Sequence, residues 1–271
     1  MADQSWQLKI RRAEEHARHL ECLIEEYVSG DHYRTECINP SDLDSRHYRL
    51  IITQEPDPWI SVILGDMLFN IRSALDHVAV AIAKEQRQCD VQFPVFSMEK
   101  RRGSCGKEHE PFKNATRGMI ADAVAVMRRE QPFEIWSHAT APDHPAKRGR
   151  LYLLNKLQNA DKHRTLTVLG SGLSAPTIQV RPHGTGVTSM IPYEFNNAEP
   201  SAEFVVDTNG LRHDEVDVQI VGTPHITAVV HGKRGSPDVS YPLGEPGAIT
   251  SKLLTFVRDK LIPDLEPFVR T

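Results

Sequence analysis

No run of eighteen apolar residues occurs in this chain, so no helix of membrane-spanning length and apolarity is expected. The start carries no basic stretch followed by an apolar segment and a small-residue cleavage site, so no secretory leader is read there. Cysteine is scarce: Cys22, Cys37, Cys89 and Cys105 stand far apart, with no C-x-x-C pair. That excludes a zinc-finger framework and points to reduced thiols in the cytoplasm. Charge of one sign is lacking too. With 32 Lys and Arg against 36 Asp and Glu, the net charge of -4 supplies no global field for nucleic acid, though a local basic patch would suffice. Also absent are G-x-x-x-x-G-K-[ST], G-x-S-x-G, G-x-G-x-x-G after a strand and H-E-x-x-H. Phosphate-loop, nucleophile-elbow, dinucleotide-binding and zincin chemistries therefore have no support.

What is present is an ordinary globular balance, 39% apolar and 25% charged in 271 residues, enough for a sizeable core. The pattern predicts an amphipathic helix from Trp6 to Val28, stopped by Gly30 and Asp31. An antiparallel pair is expected from Tyr33–Ile38 and His47–Thr53. Asp57 is placed to cap a long apolar helix running from Pro58 to about Arg87. Cys89–Phe96 reads as a short extended piece, and Glu99–Lys113 as a charged surface excursion. Helices are expected at about Ala115–Arg129 and Gly149–Lys162.

From Thr165 the period changes to two. Strands are expected at Thr165–Leu169, Thr177–Arg181, Ala202–Val206, Glu215–Val221, His225–His231 and Asp238–Tyr241, with Val221-Gly-Thr-Pro-His225 as a turn. A helix at about Gly247–Lys260 follows. The fold class is therefore α+β: a helical bundle-like N-terminal part packed with an antiparallel β-sheet and a C-terminal helix. The chain reads as one integrated domain over 1–271, helical to about 165, sheet from about 166 to 245, and a closing helix from about 246 to 265. The best boundary for two units is Gly170-Ser-Gly-Leu-Ser-Ala-Pro176.

Two helical segments carry polar residues among their leucines. In the first, Asp66, Asn70, Ser73 and His77 are spaced by four, three and four, which makes one stripe. Beside it, Arg72 and Asp76 stand at i,i+4 and can pair with each other. In the second, Asn155, Asn159 and His163 recur every four residues, with Asp161 on another side. Facing stripes would form either a buried hydrogen-bonded network that fixes register or a catalytic constellation. The candidate catalytic residues are Arg72, His77 and His163; Asn70, Asp76, Asn159 and Asp161 would bind ligand or orient them. Arg and protonated His donate to oxygens, so a phosphate or another anion suits this set best.

Arg72–His77, R-S-A-L-D-H, together with Asn159–Arg164, N-A-D-K-H-R, resembles a group of uncharacterised bacterial proteins with helical R-S-x-L-D-H and N-x-x-K-H-R segments. That likeness implies a grouping the size of a fold and no particular reaction. The R-x4-H element alone is similar to the HEPN superfamily of small helical ribonucleases and nucleotide-binding modules. The resemblance implies metal-independent cleavage, with His77 moving the 2'-hydroxyl proton and Arg72 holding the phosphate. Ser73 stands where that family often has Asn, Asp or His, and Arg72 and His77 lie about 140° apart on an ideal helix.

A metal reading would draw on Asp66, His77, Asp161 and His163, which are competent ligands but lack a local His doublet on the central helices. His16 and His19 read as exposed. His138 and His144, near Lys147, Arg148 and Arg150, read as a solvated basic run that could instead hold a phosphate. The reading carried forward is a binding or structural and regulatory module without a cofactor. Its candidate partners are a second copy of the chain, RNA or a small anionic ligand, and no membrane.

Overall fold

The structure is a computed structural model. It describes residues 4–30, 32–39, 45–83, 91–99, 101–102, 108–137, 149–163, 167–182, 189–192, 201–207, 216–230, 239–243 and 249–269. The order of elements is α1 (Ser5–Ser29), β1 (Tyr33–Cys37), β2 (Ser45–Ile52), α2 (Trp59–Ile82), β3 (Arg101–Arg102), β4 (Glu108–His109), α3 (Pro111–Ala115), α4 (Ala121–Arg129), α5 (Pro132–Ser137) and α6 (Arg150–His163). Then come β5 (Thr167–Pro182), β6 (Ser189–Pro192), β7 (Ser201–Asp207), β8 (Val216–Val230), β9 (Val239–Pro242), α7 (Ile249–Phe256) and α8 (Ile262–Leu265). The class is α+β, as the change of hydrophobic period predicts.

The chain forms two compact units, neither of them continuous in sequence. The first comprises Met1–Leu20, Ser61–Leu166 and Gly247–Thr271; the second comprises Glu21–Ile60 and Thr167–Pro246. Two of the breaks, at 166/167 and 246/247, fall where the sequence pattern ends the helical and sheet parts, but Glu21–Ile60 does not stay with the helical part. Nor does a break fall at Gly170–Pro176, which lies inside β5.

The first unit is helical and is organised on α2. Leu64, Met67, Leu68, Ile71, Ala74, Leu75, Val78 and Ile82 are wholly buried, which explains the nearly all-round apolarity of the helix. Truncating one such Leu typically costs about 2–5 kcal/mol. One narrow strip stays out: Val62, Asp66 and Phe69 are exposed, and the Lys9 ammonium sits over the Phe69 ring. The start of α2 is capped as predicted, with the Trp59 amide donating to Asp57 Oδ1 at 2.8 Å.

Two helices depart from expectation. The helix expected at about Ala115–Arg129 begins only at Ala121; Ala115 instead closes the short α3, which starts within the stretch expected as a charged excursion, and Gly118, at φ 86°, stands between the two. At the C-terminal end, Val257–Leu261 forms a π-turn between α7 and α8. Pro263 is the reason: it has no N–H for the carbonyl four residues back, and its ring crowds that carbonyl. The turn is held instead by the Ile262 amide donating to Val257 O. Trp6 Nε1 donates to Glu266 Oε1, so the first and last helical segments meet in this unit.

The second unit carries antiparallel sheets. β1 and β2 pair as predicted, Tyr33 opposite Ile52, and β2 also pairs with β7, Ser45 opposite Asp207. The early pair thus takes a strand from the later region. A second sheet has the order β6-β5-β8-β9. Here the structure corrects the reading of turn formers. The strands expected to end at Leu169 and to begin at Thr177 are one strand, β5, over the described residues from Thr167, and the expected turn at Val221–His225 runs straight through β8. The glycine- and proline-bearing stretches of the two strands run alongside each other: Leu173 pairs with Pro224, between register shifts at Gly170/Leu173 and Ser174/Thr177. Paired irregularities bend both strands together without ending either. Among the described residues β9 pairs with Thr227–Val230 and not with Pro224, so Pro224 meets no strand on that edge of β8 that would need its donor. Within this unit Tyr27 donates to Gln54 O at 2.9 Å and stacks on His32. The His32 ring leaves no room for a side chain at Gly30, where α1 ends.

Candidate functional site

The polar residues of α2 are best followed from Arg72. Its Nη2 donates to the Phe93 carbonyl at 2.6 Å. Asp76, one turn on, accepts from the Phe93 N–H at 2.8 Å and pairs with Arg72 at 3.1 Å. One i,i+4 pair therefore satisfies both backbone groups of a single residue, as a neighbouring strand would. The Phe93 side chain is buried. Arg72 keeps only 12% of its side chain exposed and Asp76 30%. Arg72 Nη1 is buried and finds no acceptor among the described residues.

The same extended segment is held again three residues later. Gln131, fully buried, donates from Nε2 to Pro94 O at 2.8 Å and to Met127 O at 3.1 Å, and accepts from the Phe96 N–H at 3.0 Å. Residues 93–96 lie in no sheet, so these side chains replace a strand partner. Gln131 was not among the residues singled out from sequence. Its only local signal was the Gln-Pro pair that ends α4.

The remaining predicted residues separate. Asn70 is buried but donates to its own helix, at Asp66 O, 2.8 Å. Asp161 of α6 lies against α2 at Gly65, where a Cβ would stand 2.6 Å from its Oδ1. A glycine is required there for the close approach of the carboxylate. Burial raises the Asp161 pKa, and the negative charge of Asp66 adds to the rise. His16 of α1 also feels Asp66, which pulls its pKa up. Burial first and Arg12 second outweigh that and hold it below the ordinary value. Asn159 is exposed. His77 is half-buried, and its imidazole has no hydrogen-bond or ion-pair partner among the described residues. The His163 side chain lies outside the described residues, as do His138, His144, Lys147 and Arg148.

No protein-family model, curated protein or solved structure matches this chain. The arrangement must therefore be judged on its own chemistry. Among the described residues, no three His, Cys, Asp or Glu side chains come together to hold a metal ion. Nor is any described helix long and apolar enough to cross a membrane. Arg72 and Asp76 engage the carbonyl and the N–H of Phe93, a geometry that fastens backbone. Of the α2 residues, Asp66 and His77 have side chains without a hydrogen-bond or ion-pair partner among the described residues.

Proposed function

We propose that this chain is a cytoplasmic binding or regulatory module, in which the R-S-A-L-D-H segment fastens backbone and does no chemistry through Arg72. The supporting observation is the double hold on Phe93, whose carbonyl accepts from Arg72 and whose N–H donates to Asp76. An arginine that grips a transferring phosphate needs its donor fork free or facing solvent. Here the fork is turned to a carbonyl and a carboxylate. Free thiols at Cys22 and Cys37 accord with a reducing compartment.

The second reading is a HEPN-like, metal-independent ribonuclease, with the chain acting as a homodimer on RNA. It is favoured by the half-buried His77, one helical turn beyond Ser73 and without a partner among the described residues. The test is incubation of the purified chain with single-stranded RNA in excess chelator. No cleavage is expected. Cleavage that disappears in His77→Ala while the fold is retained would replace the binding-module reading with the ribonuclease.

A further inference from the structure

Away from the α2 cluster, the first unit carries an open groove of about 360 Å³. It is lined by Arg150 at the start of α6, Ser251, Lys252, Thr255 and Phe256 of α7, and Asp259 and Lys260 of the π-turn. Arg150 comes from the basic run singled out in the sequence.

We infer that this groove binds the phosphoryl group of a small phosphorylated molecule. The inference rests on the binding-module reading and names the class of ligand and its place.

Charge bookkeeping supports it. Asp259, the one acid at the groove, is held by Arg258, whose Nη2 donates to Oδ2 at 2.8 Å, and that hydrogen bond lowers its pKa. Arg258 is fixed in turn by Glu14 at 2.9 Å. One guanidinium thus serves two carboxylates and offsets part of the Asp259 charge from outside the groove. Lys260 is compensated by Glu130, 2.6 Å away. Arg150 and Lys252 have no carboxylate partner among the described residues. Two uncompensated cations match the charge of a phosphate monoester near neutral pH.

Donor geometry points the same way. Ser251, Lys252, Thr255 and Asp259 follow one another at one, three and four residues and share the exposed face of this helical stretch. Its opposite face, including Leu253, Leu254 and Val257, is buried. Arg150 and Lys260 both lie over the Phe256 ring, at 5.1 and 5.6 Å from its centroid. The ring thus gathers two cations at one place. Arg150 offers a planar fork, Lys252 a point charge and Thr255 a hydroxyl, a donor set suited to phosphate oxygens. Widening of the helix by the π-turn carries Asp259 and Lys260 to the groove, and such turns occur often at functional sites.

The ring also limits the ligand. Phe256 is 5% exposed, so it offers no free face on which a nucleobase could stack. The volume lies at the small end of ligand pockets. Both point to a phosphorylated molecule whose remainder is small and polar, of sugar-phosphate type.

The experiment is calorimetric titration of the full chain with ribose 5-phosphate, inorganic phosphate, ribose, citrate and a single-stranded oligonucleotide. Ribose 5-phosphate is expected to bind, ribose not to, and affinity to fall at least about tenfold in Arg150→Gln and in Lys252→Gln. Thr255→Val is expected to weaken binding less. Lys113→Gln, at an exposed lysine elsewhere, is expected to leave it unchanged. All these side chains are exposed, and matching circular dichroism and melting curves would establish that the variants fold. No binding, binding unchanged in both cation variants, or equal binding of citrate overturns the inference. Binding of the oligonucleotide alone overturns it in favour of an RNA surface. None of these outcomes bears on Arg72 as a fastening, which urea unfolding of Arg72→Ala tests separately.

Discussion

Arg72 donates to the carbonyl of Phe93 at 2.6 Å, across twenty-one residues of sequence. A helical arginine within a motif that resembles a ribonuclease signature is engaged on backbone. The hydrogen bonds that residues 93–96 would make in a sheet are made to Arg72, Asp76 and Gln131.

Removing that hold costs more than its own hydrogen bond, because Phe93 O loses its donor and Asp76 loses its ion-pair partner. Arg72→Ala is expected to destabilise the chain by about 3 kcal/mol, the range for a charged hydrogen bond whose partners stay partly buried. Arg72→Lys retains charge without the fork and is expected to fall between the two. Urea unfolding midpoints at constant slope would measure this; a wild-type midpoint in Arg72→Ala would show that the hold is not structural.

Gln131→Leu preserves bulk but orphans three backbone groups, Pro94 O, Met127 O and Phe96 N–H. A loss of about 2–4 kcal/mol follows. Arg72 and Gln131 hold one segment, so their effects are expected not to add. A double-mutant cycle with Arg72→Lys would show coupling of at least about 0.5 kcal/mol, whereas strict additivity would mean independent attachments.

Asp161 binds its proton more tightly folded than unfolded, since its pKa is raised above 3.8 by burial and by Asp66. The folded chain therefore loses stability as pH rises from that ordinary value through the raised one. Asp161→Asn removes the penalty and is expected to stabilise near neutral pH, with the gain vanishing in acid below the unfolded value. Partial exposure keeps the gain under about 1 kcal/mol. Melting temperatures of both proteins at neutral and acid pH would check it; a constant difference across pH would mean that ionisation plays no part.

Asp57→Ala deletes the cap of α2 and leaves the Trp59 amide to water. About 1 kcal/mol of stability is expected to go, with serine recovering most of it. Equal midpoints for the alanine and serine variants would indicate that the cap contributes nothing.

Patterning that repeats every few residues was legible in the chain. The apolar period marked α1, α2, α6 and α7 within a few residues, and Asp57 before Pro58 marked the start of α2. The i,i+4 spacing of Arg72 and Asp76 gave their pairing, because helical geometry places them together whatever the fold around them. Turn formers misled where two strands carry them alongside each other, as near Leu173 and Pro224.

The sequence by itself determined the α+β class, the buried core of α2 and the Arg72–Asp76 pair, all set by interactions within a few residues along the chain. Tertiary structure alone decided where that pair is spent, that Gln131 shares the task, that Asp161 settles on Gly65, and that Arg150 joins Lys252 and Lys260 around Phe256. These contacts join residues tens to more than a hundred positions apart, and no local period or spacing encodes which distant backbone or ring a polar side chain meets.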